Sequence, residues 1–467
     1  MDYGDYIEQI TYLLFLKMAD EREIDLTTMQ VVDENEELRT IPCDWQTLRS
    51  KSGTALTDHY IRVLWALGKQ EALLGDIFAG AQSRFSNPVS LKRIVALIDE
   101  TEWTALDVDV KAEAFEGLLE KAASEGKKGA GQYFTPRILI QTIMRCMKPD
   151  PRAHAQLTIG DPACGTGGFL VAAYEWLMKE SGGAFERETA KRIRKSTYFG
   201  QELVARPRRL ALMNMYLHQV EPHIKLGDSI YEVPGSQKFD IILTNPPFGT
   251  KGANQVPDRD DFTIETSNKQ LNFLQHILTI LKPGGRAAVV VPDNVLFADQ
   301  AGEVFEILMK DCDVHTVLRL PRGTFTPYSP GTKTYVIFFR KGMPTERVWL
   351  FDARANVPSI TKKDRPLTPA HFAEFEKCYG ADPNGKSKRS ESDSAEGRWR
   401  SFSMAEVKEK GYKLDGFKWI KDESLDDADS LPEPEELATD AIAELESAVD
   451  ELNAILRLLE NGAEVAV

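Results

Sequence analysis

Cysteine is scarce in this chain, and no long apolar run interrupts it. The 467 residues include five cysteines, none in a C-x-x-C pair or beside a histidine partner: Cys43, Cys146, Cys164, Cys312 and Cys378. This scatter argues against a zinc site and favours a reducing compartment. No apolar stretch approaches membrane-spanning length, and the acidic N-terminus lacks the basic flank of a signal peptide. We therefore expect a cytoplasmic protein with no metal and no membrane contact.

An overall excess of basic residues is also missing. The net charge is −15, but residues 421–467 alone hold 15 acidic and 2 basic residues. The rest of the chain has 57 acidic and 55 basic residues, so it is nearly neutral and can still present a local basic face. Because electrostatic affinity for nucleic acid scales with the phosphates neutralised, any such binding by this chain alone should be weak and depend on a partner.

Hydrophobic periodicity separates a helical first part of the chain from an α/β part. Residues 1–125 follow helical spacing, for instance at Tyr6 and Ile10, and predict an N-terminal helical domain. Beyond a glycine-containing basic linker, residues 126–345 alternate short apolar runs with amphipathic helices. This alternation is typical of one α/β domain whose parallel sheet is covered by helices on both faces.

Seven apolar runs mark the expected strands of this α/β domain. They lie at 157–160, 198–203, 224–227, 239–244, 286–291, 314–320 and 333–340. The expected helices between them lie at about 168–180, 204–219, 268–281 and 299–310. No helix fits between the last two runs, so we expect them to form an antiparallel hairpin at one edge of the sheet.

The pattern weakens after residue 345. We expect a mixed, partly mobile region at 346–430, in which the polar stretch 381–398 is a loop. Residues 431–467 should contain a long helix over 435–460. Its apolar residues alternate at spacings of four and three, which is a heptad seam: Ala441, Leu445, Ala448, Leu452, Ile455 and Leu459. This helix either packs on its own chain or contacts a second protein as a coiled coil.

A glycine-rich loop follows the first expected strand and opens a helix. Its residues of interest are Asp161, Gly165, Thr166, Gly167 and Gly168. Glycines let the backbone approach a ligand, and the free N–H groups of the helix N-terminus suit an anion such as the carboxylate of S-adenosylmethionine. The loop alone would equally serve a dinucleotide or a tight turn, although its spacing is not G-x-G-x-x-G. Asp161 either faces a ligand ammonium or stabilises the loop as an Asx turn.

Acidic residues also end the next two expected strands. Glu202, after the run at 198–203, can accept hydrogen bonds from both hydroxyls of a ribose, or it is simply a solvated carboxylate. Asp228 follows the third strand and can accept from an adenine amine, or it is an aspartate in a surface turn. Both positions would face the same edge of a parallel sheet as the glycine-rich loop.

The motif Asn245-Pro246-Pro247-Phe248 follows the fourth expected strand and carries the strongest functional signal. The exocyclic nitrogen of adenine is a poor nucleophile because its lone pair is delocalised into the ring. The Asn245 side-chain oxygen and the Pro246 carbonyl can accept hydrogen bonds from its two N–H groups and localise that lone pair, while the prolines stiffen the loop. Phe248 offers a ring on which a flipped-out base can stack. The competing interpretation is a strand-terminating Pro-Pro turn with a buried phenylalanine.

A further motif precedes the sheet. It runs from Gln132 through Tyr133, Phe134, Thr135 and Pro136 to Arg137. Thr135 as N-cap and Pro136 at the first helical position predict a helix start. By itself the motif is only a cap, but its aromatic pair can close over a cofactor and its threonine can bind the cofactor carboxylate.

Together these motifs resemble the N6-adenine DNA methyltransferases, and among them the modification (M) subunit of type I restriction–modification systems. The likeness rests on residues 6–20, 131–137, 161–169, 245–249 and 328–334. It covers nearly the whole chain and is looser after residue 345. The chain begins close to its first expected helix, so the N-terminal lead of many relatives is reduced here.

The resemblance implies a Rossmann-like, seven-stranded S-adenosylmethionine-dependent methyltransferase core with an N-terminal helical domain and a C-terminal helix. It implies cofactor contacts from the segment Gln132 to Arg137, from Thr166, Gly167 and Gly168, and from Glu202. It makes Asn245 to Phe248 the catalytic segment, and the flipped adenine in double-stranded DNA the substrate. It places the protein in the prokaryotic cytoplasm, protecting host DNA from restriction.

The same resemblance implies a complex in which two M subunits join one specificity (S) subunit through the C-terminal helix, and a restriction (R) subunit can be added. The residues independently support a separate reader of DNA sequence. Groove readout needs a basic element of appreciable size, whereas the chain after about residue 341 is acidic.

Two other functions remain open. A methyltransferase acting on protein glutamine or on RNA also uses an Asn-Pro-Pro motif, although often with tyrosine at the position of Phe248. A catalytically silent scaffold that clamps DNA is the second. Phe325 and Tyr328 are candidates to stack on the base from its other side. Two arginine clusters either contact phosphate or form solvated helix faces: Arg187, Arg192 and Arg194, and Arg206, Arg208 and Arg209.

Overall fold

The computed structural model describes residues 3–32, 36–105, 135–221, 223–248, 255–296, 298, 300–326, 329, 331–392, 397–420 and 442. The described residues up to 105 form a helical layer with one short antiparallel hairpin. The helices are α1 (Tyr3–Glu21), α2 (Trp45–Ser50), α3 (Gly53–Gly68), α4 (Ala72–Phe78) and α5 (Pro88–Asp99), and the hairpin strands are β1 (Met29–Val32) and β2 (Leu38–Ile41). This layer confirms the helical character expected for the first part of the chain.

Local capping sets where some of these helices begin. Helix α5 starts with Pro88 in its first turn, and the side chain of Asn87 accepts a hydrogen bond from the Val89 N–H at 2.9 Å. Helix α2 starts after Asp44, whose carboxylate accepts from the Thr47 N–H at 2.7 Å. These caps satisfy N–H groups that have no partner within the helix.

A large mixed sheet forms the centre of the molecule. Its strands are β3 (Ile159–Asp161), β4 (Tyr198–Glu202), β5 (His223–Leu226), β6 (Phe239–Thr244), β7 (Leu281–Pro292), β8 (Cys312–Arg319), β9 (Thr334–Lys341), β10 (Arg347–Asp352) and β11 (Trp399–Ser403). In space they follow the order β11-β10-β8-β9-β7-β6-β3-β4-β5. Strands β3 to β7 pair in parallel, and β9 runs antiparallel to both of its neighbours, β7 and β8.

Helices cover both faces of this sheet. They are α6 (Arg137–Met147), α7 (Gly168–Ser181), α8 (Arg187–Ser196), α9 (Ala205–Leu217), α10 (Lys269–Ile280), α11 (Ala301–Asp311), α12 (Ala370–Tyr379) and α13 (Met404–Glu409). Alternate residues of one strand enter different cores: Ala288 and Val290 of β7 pack with α6, α7 and α9, whereas Val289 and Val291 pack with α10 and α11. The three-layer α/β fold class is therefore confirmed.

The seven expected strands are all present, but the sheet continues past them. Strand β8 pairs with β9 as expected, yet this hairpin is not the edge, because β10 and β11 are added beyond β8. The side chains of Trp349 in β10 and Trp399 in β11 stack with ring centroids 5.1 Å apart. The expectation of a hairpin at the edge is wrong because it took the sheet to end near residue 341.

The polar stretch 381–398 is also better fixed than its composition predicts. The guanidinium of Arg389 donates to the Tyr379 carbonyl at 3.1 Å and to the Thr316 hydroxyl at 3.0 Å. It also lies over the rings of Tyr379 and Trp399, with centroid distances of 5.1 and 5.4 Å. Residues 381–392 form a loop without helix or strand, as expected, and this cation anchors them to the sheet and to α12. Their mobility stays a prediction.

Candidate active site

Parallel pairing brings the sequence motifs to one edge of the sheet. Strands β6, β3, β4 and β5 are neighbours in that order and run in the same direction. The residues at their carboxyl ends, which include Asp161, Glu202 and Asn245, therefore face a common crevice. This is the edge at which open α/β sheets bind ligands.

The glycine-rich loop is tied to the neighbouring strand by its backbone. The N–H of Gly165 donates to Glu202 Oε2 at 3.0 Å, and the N–H of Cys164 donates to the Gln201 carbonyl at 3.0 Å. Gly165 and Gly167 have φ angles of 53° and 81°, a conformation that glycine adopts without strain. A Cβ on Gly167 would also lie 3.3 Å from the Cβ of Ala211. The loop therefore needs glycine at these positions.

Asp161 is buried at the end of β3, and its carboxylate accepts from the Ala163 N–H at 3.1 Å. This contact is an Asx turn, so the loop-stabilising interpretation describes part of its role. Burial raises the pKa of Asp161 to about 7, with the nearby Glu202 carboxylate contributing to the rise.

Glu202 is also buried, which rules out the solvated carboxylate considered from sequence. Its two oxygens accept from the N–H groups of Gly165 and Val204, at 3.0 and 2.9 Å. Burial raises the pKa of this carboxyl, while those N–H groups lower it. Each carboxylate oxygen has a second lone pair, so Glu202 can hold the loop and still accept from ligand hydroxyls.

Neither Asp161 nor Glu202 forms an ion pair with a basic side chain within the described part of the chain. Two buried carboxyl groups in one crevice are costly when ionised unless a cation or further donors join them. The crevice therefore favours a cationic ligand that also carries hydroxyl groups.

Asp228 lies in a tight turn after β5. Its carboxylate accepts from the N–H groups of Ile230 and Tyr231, at 2.8 and 3.1 Å, so the surface-turn interpretation fits its contacts. Arg259, which sequence reasoning missed, braces this turn: its fully buried guanidinium donates to the carbonyls of Ser229, Ile230 and Glu232 at 2.8, 3.2 and 3.1 Å. Arg259 lies in a polar stretch without periodicity, so no sequence signal marked it.

The Asn-Pro-Pro-Phe motif leaves β6 next to the glycine-rich loop. Asn245 Nδ2 donates to the Thr135 hydroxyl at 2.9 Å, and Asn245 Oδ1 is buried without a hydrogen-bond partner among the described residues. The carbonyl of Pro247 accepts from Gln270 Nε2 at 3.2 Å, which fixes the loop to α10. A buried amide oxygen without a donor is costly, so this acceptor suits a ligand that brings an N–H group.

Phe248 is half-buried, and its ring meets the edge of Phe325 with centroids 5.3 Å apart and an interplanar angle of 80°. Phe325 itself is buried in the core. It therefore supports the Phe248 ring from behind rather than offering an open face of its own. Tyr328 lies outside the described residues.

The motif before the sheet is only partly described, since Gln132, Tyr133 and Phe134 lie outside the described residues. Helix α6 begins at Arg137, with Pro136 at the N-cap position and no side-chain cap. The expectation that Thr135 caps the helix is wrong by one position, and its hydroxyl contacts Asn245 instead. Arg137 pairs with Glu175 of α7 at 3.3 Å, a contact that braces α6.

The basic cluster of α9 is not a solvated face, because its arginines pair with carboxylates of the N-terminal helical layer. A contact with phosphate stays a prediction. Arg206 pairs with Asp5 at 2.6 Å, Arg208 pairs with Asp76 at 2.9 Å, and Arg209 pairs with Glu8. The cluster docks the N-terminal helical layer onto the α/β core. In the second basic cluster, which comprises Arg187, Arg192 and Arg194, Arg192 donates to the carbonyls of Ala155 and Pro151, both at 3.1 Å.

The expectations for the C-terminal helix, for metal binding and for membrane contact can be compared only with the described residues. The heptad helix over 435–460 lies outside the described residues apart from Ile442, which is helical. Within the described ranges, no group of three or more His, Cys, Asp or Glu side chains could hold a metal ion. No helix in those ranges is long and apolar enough to cross a membrane.

Comparison with known proteins agrees with this geometry. The profile of the N-6 DNA Methylase family matches residues 106–428, and that of the HsdM N-terminal domain matches residues 1–100. The StySPI methylase subunit of the type I restriction enzyme from Salmonella potsdam is 38% identical, over 99% of this chain and 93% of its own length. The EcoKI methylase subunit from Escherichia coli K12 is also 38% identical, over 98% and 92%.

Two solved structures share both fold and sequence with the chain. The crystal structure of the EcoKI M protein is 33% identical, covers 98% of this chain and 92% of its own, and gives a TM-score of 0.56. A structure from work on complex assembly and conformational transition of the type I restriction–modification system is 27% identical, with coverages of 99% and 94% and a TM-score of 0.72.

The chain belongs to the N-6 DNA methylase family, and within it to the methylase subunits of type I restriction enzymes. It is therefore a DNA methyltransferase that acts on the N6 amine of adenine. The family resemblance, the methyltransferase fold and the enzymatic class expected from sequence are confirmed. The roles of the individual site residues stay predictions.

Proposed function

We propose that the crevice binds S-adenosylmethionine beside a flipped adenine, and that Asn245 to Phe248 hold the adenine amine for methylation. The observation that carries the proposal is the buried Asn245 Oδ1 at the end of β6, which has no hydrogen-bond partner in the part of the chain that the structure describes. The cofactor, when bound, supplies a methyl group on a positively charged sulfur.

The residues of the crevice suit such a cofactor. Asp161 and Glu202 are buried carboxyl groups without a basic partner in the described structure, which fits a ligand carrying an ammonium group and ribose hydroxyls. The start of α7 at Gly168 presents free N–H groups to a carboxylate. Further proposed contacts come from Gln132, Tyr133, Phe134, Pro136, Arg137, Gly165, Thr166, Gly167 and Asp228. The Thr135 hydroxyl accepts from Asn245 instead.

Asn245 Oδ1 and the Pro246 carbonyl accept hydrogen bonds from the two N–H groups of the adenine amine and localise its lone pair. As methyl transfer makes the nitrogen positive, the same two acceptors stabilise the charge that develops, and the methylated nitrogen then releases one proton to solvent. The loop is stiffened by its prolines and by the bond from Gln270 to the Pro247 carbonyl, so little reorganisation is needed. The Phe248 ring, supported by Phe325, stacks on the flipped base.

We also propose that the chain works in a complex with a specificity subunit, a second M subunit and, for restriction, an R subunit, in the prokaryotic cytoplasm. The relatives are subunits of type I restriction enzymes, and one similar structure comes from work on assembly of such a system. Residues 421–467 hold 15 acidic and 2 basic residues, which suits docking on a protein better than reading DNA. The heptad helix over 435–460 is the proposed contact with the specificity subunit.

The test is transfer of labelled methyl groups to plasmid DNA by the chain with its specificity subunit, followed by identification of the methylated base. We expect N6-methyladenine with the wild-type complex and none with an Asn245→Ala variant that still binds the cofactor. Label in protein or RNA but not in DNA would replace this function by the alternative methyltransferase. Normal DNA methylation by Asn245→Ala would remove the proposed catalytic site.

A further inference from the structure

Thr135 lies where its hydroxyl can fix the orientation of the Asn245 side-chain amide. It lies two residues before the start of α6, and its hydroxyl oxygen accepts a hydrogen bond from Asn245 Nδ2 at 2.9 Å across 110 residues of chain. Helix α6 is itself held in place, because Arg137 pairs with Glu175 of α7 and Arg145 pairs with Glu376 of α12 at 2.6 Å. The hydroxyl is therefore presented by a braced element rather than by a free loop end.

An asparagine amide needs such a partner to be useful in this reaction. Its oxygen accepts hydrogen bonds and its nitrogen donates them, yet the two ends have nearly the same shape. Rotation by half a turn would place N–H groups of Asn245 against the N–H groups of adenine. That arrangement would repel the amine and withdraw the acceptor that localises its lone pair.

We propose that Thr135 is a positioning residue for methyl transfer: its hydroxyl accepts from Asn245 Nδ2 and thereby keeps Asn245 Oδ1 turned to the adenine amine. The inference rests on the function proposed above. The buried Oδ1, which has no partner in the described structure, and the paired Nδ2 of the same amide are the two observations that fix the orientation. Thr135 then acts on the rate of chemistry rather than on capture of the cofactor.

The test compares Thr135→Val, which keeps the shape of the side chain and removes the hydroxyl, with Thr135→Ser, which keeps the hydroxyl. Both are made in the complex with the specificity subunit. We expect Thr135→Val to lower the single-turnover methylation rate by about 10- to 100-fold, the loss expected for an interaction made at the reacting group. The Kd values for S-adenosylmethionine and for DNA should change by less than about threefold. Thr135→Ser should stay within about threefold of the wild-type rate.

Thr142→Val is the matched control, since Thr142 lies in the same helix and its hydroxyl contacts Arg145 instead of the crevice. It should retain the wild-type rate. The melting temperatures of all variants identify any loss caused by unfolding. An unchanged rate for Thr135→Val, or an equal loss in Thr135→Ser, would overturn the inference. A loss confined to the Kd for S-adenosylmethionine would overturn it as well and make the hydroxyl a cofactor ligand.

The failure of this inference is distinct from failure of the proposed function. If the wild-type complex does not methylate adenine, the function fails before any Thr135 variant is compared. If Asn245→Ala abolishes methylation while Thr135→Val does not, Asn245 keeps its role and only the positioning by Thr135 is wrong.

Discussion

The carboxylate of Glu8 in α1 accepts a hydrogen bond from the guanidinium of Arg209 in α9, although the two residues are 201 positions apart in the chain. Both side chains are largely buried, with 11% and 14% of their surface exposed. Arg22, directly after α1, adds a second link to α9 by donating to the carbonyls of Tyr216 and Leu217 at 3.1 and 3.2 Å. The N-terminal layer is thus fastened to the helix that follows Glu202 of the candidate site.

Reversing the charge of Glu8 should therefore destabilise the protein. Glu8→Lys leaves like charges facing each other in a mostly buried contact, and we expect a loss of about 3 kcal/mol in the free energy of unfolding, measured by urea denaturation. The charge swap that combines Glu8→Arg with Arg209→Glu should recover a large part of that loss. The control is Glu221→Lys, at the exposed pair with Lys195, which should cost less than about 1 kcal/mol. Equal costs for Glu8→Lys and Glu221→Lys would contradict a docking role.

Removing the Phe248 ring should weaken stacking on the flipped target adenine and so slow methylation of DNA. Base stacking on an aromatic ring is worth about 1–3 kcal/mol, so Phe248→Ala should lower kcat/KM for DNA by about 5- to 150-fold. The variant should methylate DNA with a mismatch opposite the target adenine comparatively well, because such a base costs less to flip out. Phe248→Tyr keeps the ring and serves as the control. A variant whose defect is the same on matched and mismatched DNA would show that Phe248 does not act through flipping.

The part of the fold predicted from sequence is the part that local pattern specifies. The run at 239–244 coincides with β6, and the helix expected at about 168–180 is α7, which ends at Ser181. These elements are continuous in sequence, and buried parallel strands have apolar runs that can be recognised without their partners. The motifs that follow such strands could be placed at one sheet edge for the same reason.

The features that the sequence did not predict depend on contacts between residues that are far apart in the chain. Strand β11 is recognisable only by its pairing with β10 and by the stacking of Trp399 on Trp349. The cluster of arginines in α9 has the composition of a solvated face, and only the carboxylates of α1 and α4 show that it is an interface. In the candidate site, the hydrogen bond between Asn245 and Thr135 joins two motifs that the sequence presents separately.

Arg259 should be essential for the turn that contains Asp228. Its guanidinium is fully buried and donates to three carbonyls of residues 229–232, and to both oxygens of Asp261 at 2.8 and 2.5 Å. Arg259→Leu removes the donor to the buried carbonyls of Ser229 and Ile230 and the ion pair with Asp261, so we expect a loss of about 3 kcal/mol in the free energy of unfolding. The measurement is urea denaturation at pH 7.

Arg152→Leu is the control for Arg259→Leu, because Arg152 forms an exposed pair with Asp150 and should be replaceable at a cost below about 1 kcal/mol. Arg259→Lys restores the charge but not the fork of donors, and it should lie between the other two variants. If Arg259→Leu proves as mild as Arg152→Leu, the turn is held by other contacts.

Asp161 should make both the free energy of unfolding and the affinity for the cofactor depend on pH. Burial raises the pKa of Asp161 to about 7 from its ordinary value of 3.8. Between these values the folded protein keeps a proton that the unfolded chain has released, so the free energy of unfolding falls as the pH rises from about 4 to 7. Asp161→Asn removes this term, and at pH 8 it should stabilise the free protein by up to about 4 kcal/mol.

Cofactor binding should depend on pH in the opposite direction. A cationic ligand favours the ionised Asp161, so its affinity should rise by up to about tenfold per pH unit below 7 and level off above it. Calorimetric titration with S-adenosylmethionine from pH 5.5 to 8.5 measures this, and Asp161→Asn should bind weakly with a flat profile. Asp150→Asn is the control, because Arg152 lowers the pKa of Asp150 below the range studied. Matching profiles for wild type and Asp161→Asn would mean that Asp161 does not face the ligand cation.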